Sequence, residues 1–594
     1  MASQSFSVAI IGGGLCGLAL AVALRHRGVS STVYESRGSF TELGAGINIG
    51  PNSYRAFQLI DSALAESFLE HAVRNPPGKE QVWFQVRTGA ATGPPLELPE
   101  AHLISEFLAP PTGNMTIGRN GLLQLLAEKA GLTEGEGTKN AAFNKKLTGL
   151  HQTESEVTMS FEDGTKASAS AVIACDGIHS NVRKAMVGTG PASIPQFSEV
   201  GAYRALLSKA DLAREIGEEM AMTSQVFTGP QGYVIMYPID STTVNVGFWT
   251  WRRGKWPHRE WMITSQKTDL EKDFGAFGET VHKIMKLAGN PSFYATHYHV
   301  QQPEHCFNGR VCLIGDAAHA MPPHAGAGAS QAMEDSYVLA EVLHCISKTA
   351  SASTPTQEQV AAAFRGYEAV RSPRYKRVTQ VSVEGMNAWT HLFDGPVSQD
   401  RLEQWTMVNQ ERFQWIWYYD VADGGKEGCR LVQEALKRKV SQVALARREQ
   451  PSIHQLTCTY FTLILQQSLA KTCTSSFPPA LTIAMSAPSI STSSYAHIPH
   501  PSTAEEVDSL PSSSAGTSDD EDESDAEREW RESLQQLELL LTMVLVPYMG
   551  KYFGRKCAYW GWAKYMEWQY PVSIEVTSPT AFKAAGAVQA AASI

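Results

Sequence analysis

The stretch Val8 to Glu35, VAIIGGGLCGLALAVALRHRGVSSTVYE, decides how the rest of the chain is read. The apolar run from Phe6 to Ile11 has the length and branched residues of a buried strand, and it runs straight into Gly12-Gly13-Gly14-Leu15-Cys16-Gly17. This is G-x-G-x-x-G at a strand-to-helix junction. Gly12 allows the tight turn, Gly14 lets the backbone approach a pyrophosphate, and Gly17 lets a helix over roughly Leu18 to Arg27 lie close on the strand. The N–H groups and dipole at the helix start attract phosphate without a basic side chain. Gly28 ends the helix and Ser31 to Tyr34 reads as a second strand. Glu35 follows, 18 positions after Gly17, where a carboxylate binds ribose hydroxyls and disfavours a 2′-phosphate. Strand, turn, helix, strand and acid in this order separate the motif from a glycine-rich turn with a chance acid nearby.

Outward from this stretch, 594 residues imply several domains, and 43% hydrophobic content is ample for a large core. A net charge of -10 and the lack of a long basic stripe argue against a nucleic-acid partner. The nine cysteines are scattered, odd in number and without C-x-x-C spacing, so they read as reduced and mostly structural, with no metal site. The start, MASQSFSVAII, lacks a basic segment and a secretory apolar run, so the first domain is expected in the cytoplasm.

Further along, Thr41 to Asn52 is a loop whose small residues, Ala45 and Gly46 among them, let a flat ring lie against the backbone. Taken alone, it is equally a flexible turn. Ile117-Gly118-Arg119-Asn120-Gly121 leads into a leucine-spaced helix, with Arg119 at its mouth able to reach a cofactor phosphate. Taken singly, Arg119 also fits a solvated arginine. An apolar strand at Ala171 to Ala174 stops at Asp176-Gly177, before a helix start at Ser180. Another, Val311 to Ile314, delivers Asp316 to its end. The Gly326-Ala327-Gly328-Ala329 loop then opens a helix towards Leu343 that carries Glu334 and Asp335. Ligands sit at such strand ends of an α/β sheet.

These three stretches, in this order, resemble the FAD-dependent group A aromatic monooxygenases, and PHAGAGASQAMED resembles the salicylate hydroxylase branch. The similarity continues through Tyr367 to Arg374 and Trp415 to Asp420, about residues 5 to 437 in all. It implies an α/β, glutathione-reductase-type FAD-binding domain with an inserted substrate-binding β-sheet domain. Gly12, Gly14, Gly17 and Glu35 match the family's ADP-binding fingerprint. Asp176 matches its second motif, associated with both FAD and NAD(P)H. Asp316 matches its third, with Gly328 and Ala329 beside it. Arg119 matches the arginine that reaches FAD, and Ala45 and Gly46 the loop beside the flavin. Ala325 departs from the pattern, since relatives often carry glutamine there. Arg204 and Tyr237 match catalytic or substrate-anchoring positions, although either residue alone also fits a satisfied polar group in a sheet. The implied reaction is hydroxylation of a small phenolic or aromatic acid by NAD(P)H and O₂ through a C4a-hydroperoxyflavin, in fungal secondary metabolism. A flavin halogenase is the same-fold rival, but its W-x-W-x-I-P motif is missing.

The resemblance divides residues 1–440 into FAD-binding parts near 1–75, 100–185 and 300–375, a substrate sheet near 190–300, and C-terminal helices near 375–440. Beyond lie a disordered linker at 441–526, rich in Ser, Thr and Pro and ending in the acidic run Asp519 to Glu523, an apolar helix at 527–570, and a tail at 571–594. Tyr559, Trp560, Trp562 and Lys551, Arg555 and Lys556 edge that helix as they would at a membrane interface, while Glu538 and Pro547 also admit an interfacial or buried core helix. SLQQLELLLTMVLVPYMGKYFGRKCAYWGWAKYMEW resembles the small fungal subunit of the mitochondrial outer-membrane import (MIM) complex. A membrane-tethered fusion, or two genes joined in one reading frame with Met485 as an independent start, is the alternative reading.

Overall fold

The computed structural model describes residues 6–449 except 42–45, 134–139, 253, 265–266 and 350–353. By its internal contacts the chain divides into Met1–Thr474 and Ser475–Ile594, and every described residue belongs to the first unit.

The first strand, Ser7–Ile11, lies inside a six-stranded sheet. It pairs in parallel with Ala171–Ala174 on one side, Ile10 opposite Ile173, and with Ser30–Tyr34 on the other, Ile10 opposite Val33. Val311–Leu313 continues the sheet in parallel, and Phe307–Asn308 closes that edge antiparallel. From Val8 to Ile11 the strand is apolar because both its faces are covered. Val8 and Ile10 join the core formed with the helices, whereas Ala9 and Ile11 pack on the meander Leu147–Gln152, Val157–Phe161 and Lys166–Ala169. The helix after the glycines spans Leu15–His26 rather than starting near Leu18. Gly14 in extended conformation forms its N-cap, its carbonyl accepting from Leu18 N, so Gly17 lies inside the first turn. There a Cβ would stand 2.0 Å from the Gly12 carbonyl oxygen. Gly12 itself has φ +103°, a conformation open to glycine.

The second sheet has eight strands. Gln196–Ser208, Thr243–Trp251 and Gly232–Pro238 lie side by side and antiparallel, so the strands carrying Arg204 and Tyr237 are not neighbours: Thr243–Trp251 runs between them. Arg204 is opposite Gly247, which is opposite Ile235, and Tyr237 lies two residues further along the same face. Alternation puts Ala202, Tyr233 and Tyr237 on the core towards the cofactor-binding half, and Tyr203, Val234 and Met236 on the opposite core. Ser292–Tyr298 and Met262–Ile263 form one edge of this sheet, and Val82–Thr88 and Leu103–Leu108 form the other, extending it beyond the expected 190–300. Val82–Thr88 joins in parallel to Gln225–Gly229, a pairing across about 140 residues that no local period signals.

Helices Gly328–Thr349, Gln357–Ala388, Gln399–Trp417 and Val421–Glu449 pack behind the cofactor sheet and against the second. Thr356 and Gln359 form a capping box at the start of the second helix. The last helix runs to Glu449 and so crosses the boundary expected at 440. No helix among the described residues is long and apolar enough to cross a membrane, and the expected linker, apolar helix and tail at 450–594 lie outside the described residues.

Candidate active site

One cavity of about 790 Å³ opens between the cofactor sheet and the second sheet, a size proper to small-molecule sites. At one end it is lined by Gly12 to Cys16, Glu35, Arg37, Asp176, Asp316 and Gly326 to Ala329, and at the other by Phe84, Arg204, Tyr233, Ile235, Tyr237, Trp249 and His324. Gly46 and Arg119 lie on its wall. Of the residues singled out in the sequence, Gly12, Gly14, Glu35, Gly46, Arg119, Asp176, Arg204, Tyr237, Asp316, Gly328 and Ala329 all line this cavity. Gly17 supports it from within the helix, and Ala45 lies outside the described residues.

The cofactor end is built from backbone. Glu35 turns back onto the glycine loop, its Oε2 accepting from Gly13 N at 2.7 Å while Oε1 accepts from Arg37 N at 2.8 Å. A Cβ added to Gly14 meets nothing within 4 Å, so this part of the loop is open to a ligand. Asp176 caps the helix Asn181–Val187, its Oδ2 accepting from Asn181 N at 2.8 Å and Val182 N at 3.2 Å. Its Oδ1 is buried without a partner. Burial raises the Asp176 carboxyl against the Ser180, Val182 and Asn181 hydrogen bonds that lower it. Asp316 starts the short helix Asp316–His319, with its side chain exposed to the cavity. An open glycine, an orphaned buried carboxylate oxygen and a second carboxylate along one channel fit the phosphate and polyol portions of FAD.

The other end is aromatic and cationic. Arg204 belongs to the interior of the fold, and its exposed surface is surface offered to the cavity. Its guanidinium stands 5.1 Å from the Tyr294 ring centre and 5.6 Å from that of Trp249. Burial lowers its pKa, Tyr237 and Tyr294 offset part of this, and Arg119 repels it. No acidic side chain among the described residues forms an ion pair with Arg204, so its guanidinium gives this wall of the cavity a positive field.

Tyr237 is buried and donates its hydroxyl to the Gly46 carbonyl at 3.0 Å, tying the substrate sheet to the loop beside the cofactor. Burial pushes its phenol up to about 12, against the pull of Arg204 and Arg119.

Several residues here escaped the reading of the sequence. His324 lies in the quoted glycine-alanine stretch, yet its partner Tyr233 is 91 residues away, 2.8 Å from His324 Nδ1. Burial brings His324 down to about 3, so it is neutral, and its Nε2 is buried with no hydrogen-bond partner among the described residues. Trp249 and the buried Asn245 line the same wall. Beneath the cofactor loop, Glu334 and Asp335 form a buried charge network with Arg371 and Arg374. Arg371 donates to Glu334 at 2.6 Å and Asp335 at 2.8 Å, and Arg374 to Glu334 at 2.7 Å. Asp335 also meets His319 Nε2 at 2.6 Å and accepts from Gly315 N at 3.0 Å, so the network fixes the turn that presents Asp316.

Residues 5–381 match the family described as FAD binding domain, and residues 524–568 match the one described as Mitochondrial import 2. The chain is 32% identical over 447 residues to a 6-methylsalicylate 1-monooxygenase of Aspergillus terreus, covering 74% of this chain and 95% of that protein. It is 31% identical over 429 residues to a salicylate hydroxylase of Pseudomonas putida, covering 70% and 92%. A solved salicylate hydroxylase substrate complex superposes with TM-score 0.61 at 27% identity, covering 71% of this chain and 98% of that one.

Proposed function

Because the chain belongs to the FAD-binding monooxygenase family matched over residues 5–381 and is a flavoprotein monooxygenase, we propose that it hydroxylates a small phenolic acid of the hydroxybenzoate type, using NAD(P)H and O₂. The observation that carries this reading is Arg204, held between Trp249 and Tyr294 in the same cavity as the glycine cradle. Bound FAD supplies acceptance of hydride from NAD(P)H and activation of O₂.

The protein's own groups act on the substrate. A phenol with a pKa near 10 is mostly neutral at pH 7, whereas its phenolate is the better nucleophile. The guanidinium of Arg204 favours the anion and holds a carboxylate or phenolate in place. Tyr237 acts through Gly46, holding the cofactor-side loop against the sheet that covers the substrate. Tyr233 and His324, a neutral pair, shape the adjoining wall. Phe84, Trp249, Trp389, Met321 and Phe413 line the remainder and exclude water, which protects an oxidising site from side reactions.

At the cofactor end, Glu35 and Asp316 serve as sugar-hydroxyl acceptors, Arg119 faces the phosphate and ribitol portion, and residues 1–449 form the catalytic unit. The test is a purified protein with flavin absorbance whose NADH or NADPH oxidation rises on adding salicylate or a methylsalicylate, with a hydroxylated product. Flavin-loaded protein in which hydroxybenzoates neither bind nor speed oxidation would overturn the substrate assignment.

The match at 524–568 supports a second reading of the tail, as a mitochondrial import subunit joined to the enzyme by fusion or by a mis-joined reading frame. One transcript spanning Lys437 to Trp530 favours a single tethered protein, and two separate transcripts favour joined genes.

A further inference from the structure

Three pairs of cysteines face one another among the described residues: Cys16 with Cys175, Cys306 with Cys312, and Cys345 with Cys429. The first two belong to the interior. Cys175, Cys306 and Cys312 are buried, and sulfur contact together with burial pushes the Cys16 and Cys306 thiols up, which makes them poor nucleophiles.

The third pair lies where helix Val421–Glu449 crosses helix Gly328–Thr349. Glycines let the two helices close on each other. A Cβ on Gly425 would stand 2.8 Å from the Tyr337 ring, and one on Gly428 would stand 2.9 Å from Val342. Cys429 follows Gly428, and Cys345 lies one turn beyond Val342, so the crossing brings both cysteines to one level. Gln433 stands one turn beyond Cys429 on the same helix face and donates its Nε2–H to Cys345 Sγ at 3.8 Å. Both cysteines are half-buried, so a small oxidant reaches them. The Cys429 S–H, with help from Gln433 and Lys348, outweighs burial and Glu341 and holds the Cys345 thiol well below the ordinary thiol range. Cys429 is pushed up by Cys345, burial and Glu341. The two sulfurs are thus biased in opposite directions, Cys345 towards the thiolate and Cys429 towards the thiol, the arrangement of an attacking and a resolving cysteine.

We propose that Cys345 and Cys429 are a peroxide-responsive pair that closes reversibly to a disulfide joining the two helices. The Cys345 thiolate attacks one oxygen of hydrogen peroxide, the O–O bond breaks, and a sulfenic acid and hydroxide form. The Cys429 sulfur then attacks the sulfenic sulfur, the S–O bond breaks, and water leaves as the S–S bond forms. In balance, two thiols and one hydrogen peroxide give one disulfide and two waters, and a dithiol reductant reverses the change. Hydrogen peroxide is the product whenever O₂ is reduced at such a site without hydroxylation, so the oxidant arises at this protein itself. The cross-link would fasten the last described helix to the helix that opens, at Gly328 and Ala329, on the cavity.

The experiment treats the full chain with a small molar excess of hydrogen peroxide, alkylates the remaining thiols and maps the peptides by mass spectrometry. The expected result is a Cys345–Cys429 peptide pair, lighter by two hydrogens and released by dithiothreitol. It should form about tenfold faster or more than Cys16, Cys175, Cys306 or Cys312 is lost. In Cys429→Ser, dimedone should trap Cys345 as a sulfenic acid. Both Cys345→Ser and Cys429→Ser should retain wild-type flavin content and turnover, while losing the rise in melting temperature that oxidation gives the native chain. A Cys345 that remains alkylatable while other cysteines oxidise, or that pairs with Cys458, Cys473 or Cys557 instead, would overturn the proposal.

Discussion

Glu35 and Asp316 are carboxylates at the ends of two different strands, both line the cavity, and on the proposed reading each accepts from a sugar hydroxyl. Replacing either with alanine should weaken FAD retention by about 1.5–3 kcal/mol, roughly ten- to hundredfold, read as the dissociation constant of the refilled apoprotein. Glu35→Ala should be the more damaging, because that carboxylate also holds the glycine loop through Gly13 N and the turn through Arg37 N. Arg204 and Tyr237 separate by role. Arg204→Ala should keep FAD but lose hydroxylation and release peroxide instead, since Arg204 is the cation that stands over Trp249 and Tyr294 among the described residues. Tyr237→Phe removes the bond to Gly46 and should loosen flavin and substrate together. Stopped-flow flavin reduction, oxygenation and hydroxylation rates equal to wild type in both variants would make the two residues structural. His324 is down at about 3 and stays neutral across the working range, so no inflection between pH 5 and 8 should disappear in His324→Gln.

Helix Gly328–Thr349 contributes Glu334 and Asp335, helix Gln357–Ala388 contributes Arg371 and Arg374, and their meeting is buried. Removing one partner of such a network leaves a charge without compensation, so Arg371→Met should cost about 3–5 kcal/mol in urea unfolding. Both carboxyls are depressed. Burial opposes ionisation, but Arg371 and Arg374 win at Glu334, and His319 and Arg371 win at Asp335. A depressed carboxyl contributes stability that is complete above its unfolded pKa, near 4, and is lost as pH falls through the lower folded value. Unfolding free energy should therefore drop steeply below about pH 4, and the drop should be shallower in a double variant lacking Glu334 and Arg371. Asp335 also fixes Gly315 N and His319. Asp335→Asn should loosen FAD without touching it, through the turn that carries Asp316.

The catalytic unit contains the whole cavity within residues 11–413 and its last described helix ends at Glu449. Deleting residues 450–594 should accordingly leave FAD stoichiometry and turnover unchanged. A cut at 440 severs the final helix, and should lower thermal stability more than the cut at 449 does. Soluble 1–449 protein unable to hold flavin would place part of the tail in the catalytic fold.

What the sequence determined by itself was whatever its near neighbours encode. Strand, glycine turn, helix, strand and Glu35 follow within 28 residues, and each part is a local conformational demand, from the turn at Gly12 to the close packing at Gly17. Asp176 and Asp316 were legible for the same reason, as acids ending short apolar strands. Arg204 and Tyr237 were singled out through the resemblance alone; that they share one sheet face, with Thr243–Trp251 running between their strands, is decided by the register. Only the tertiary structure decided that Tyr233 meets His324, that Tyr237 ties down Gly46, that Arg204 rests between Trp249 and Tyr294, and that Val82–Thr88 extends the sheet. These contacts join residues far apart in the chain, and their register is selected by which apolar faces close on one another. A local period records only that a face is apolar; the partner that covers it is set by the packing of the whole molecule.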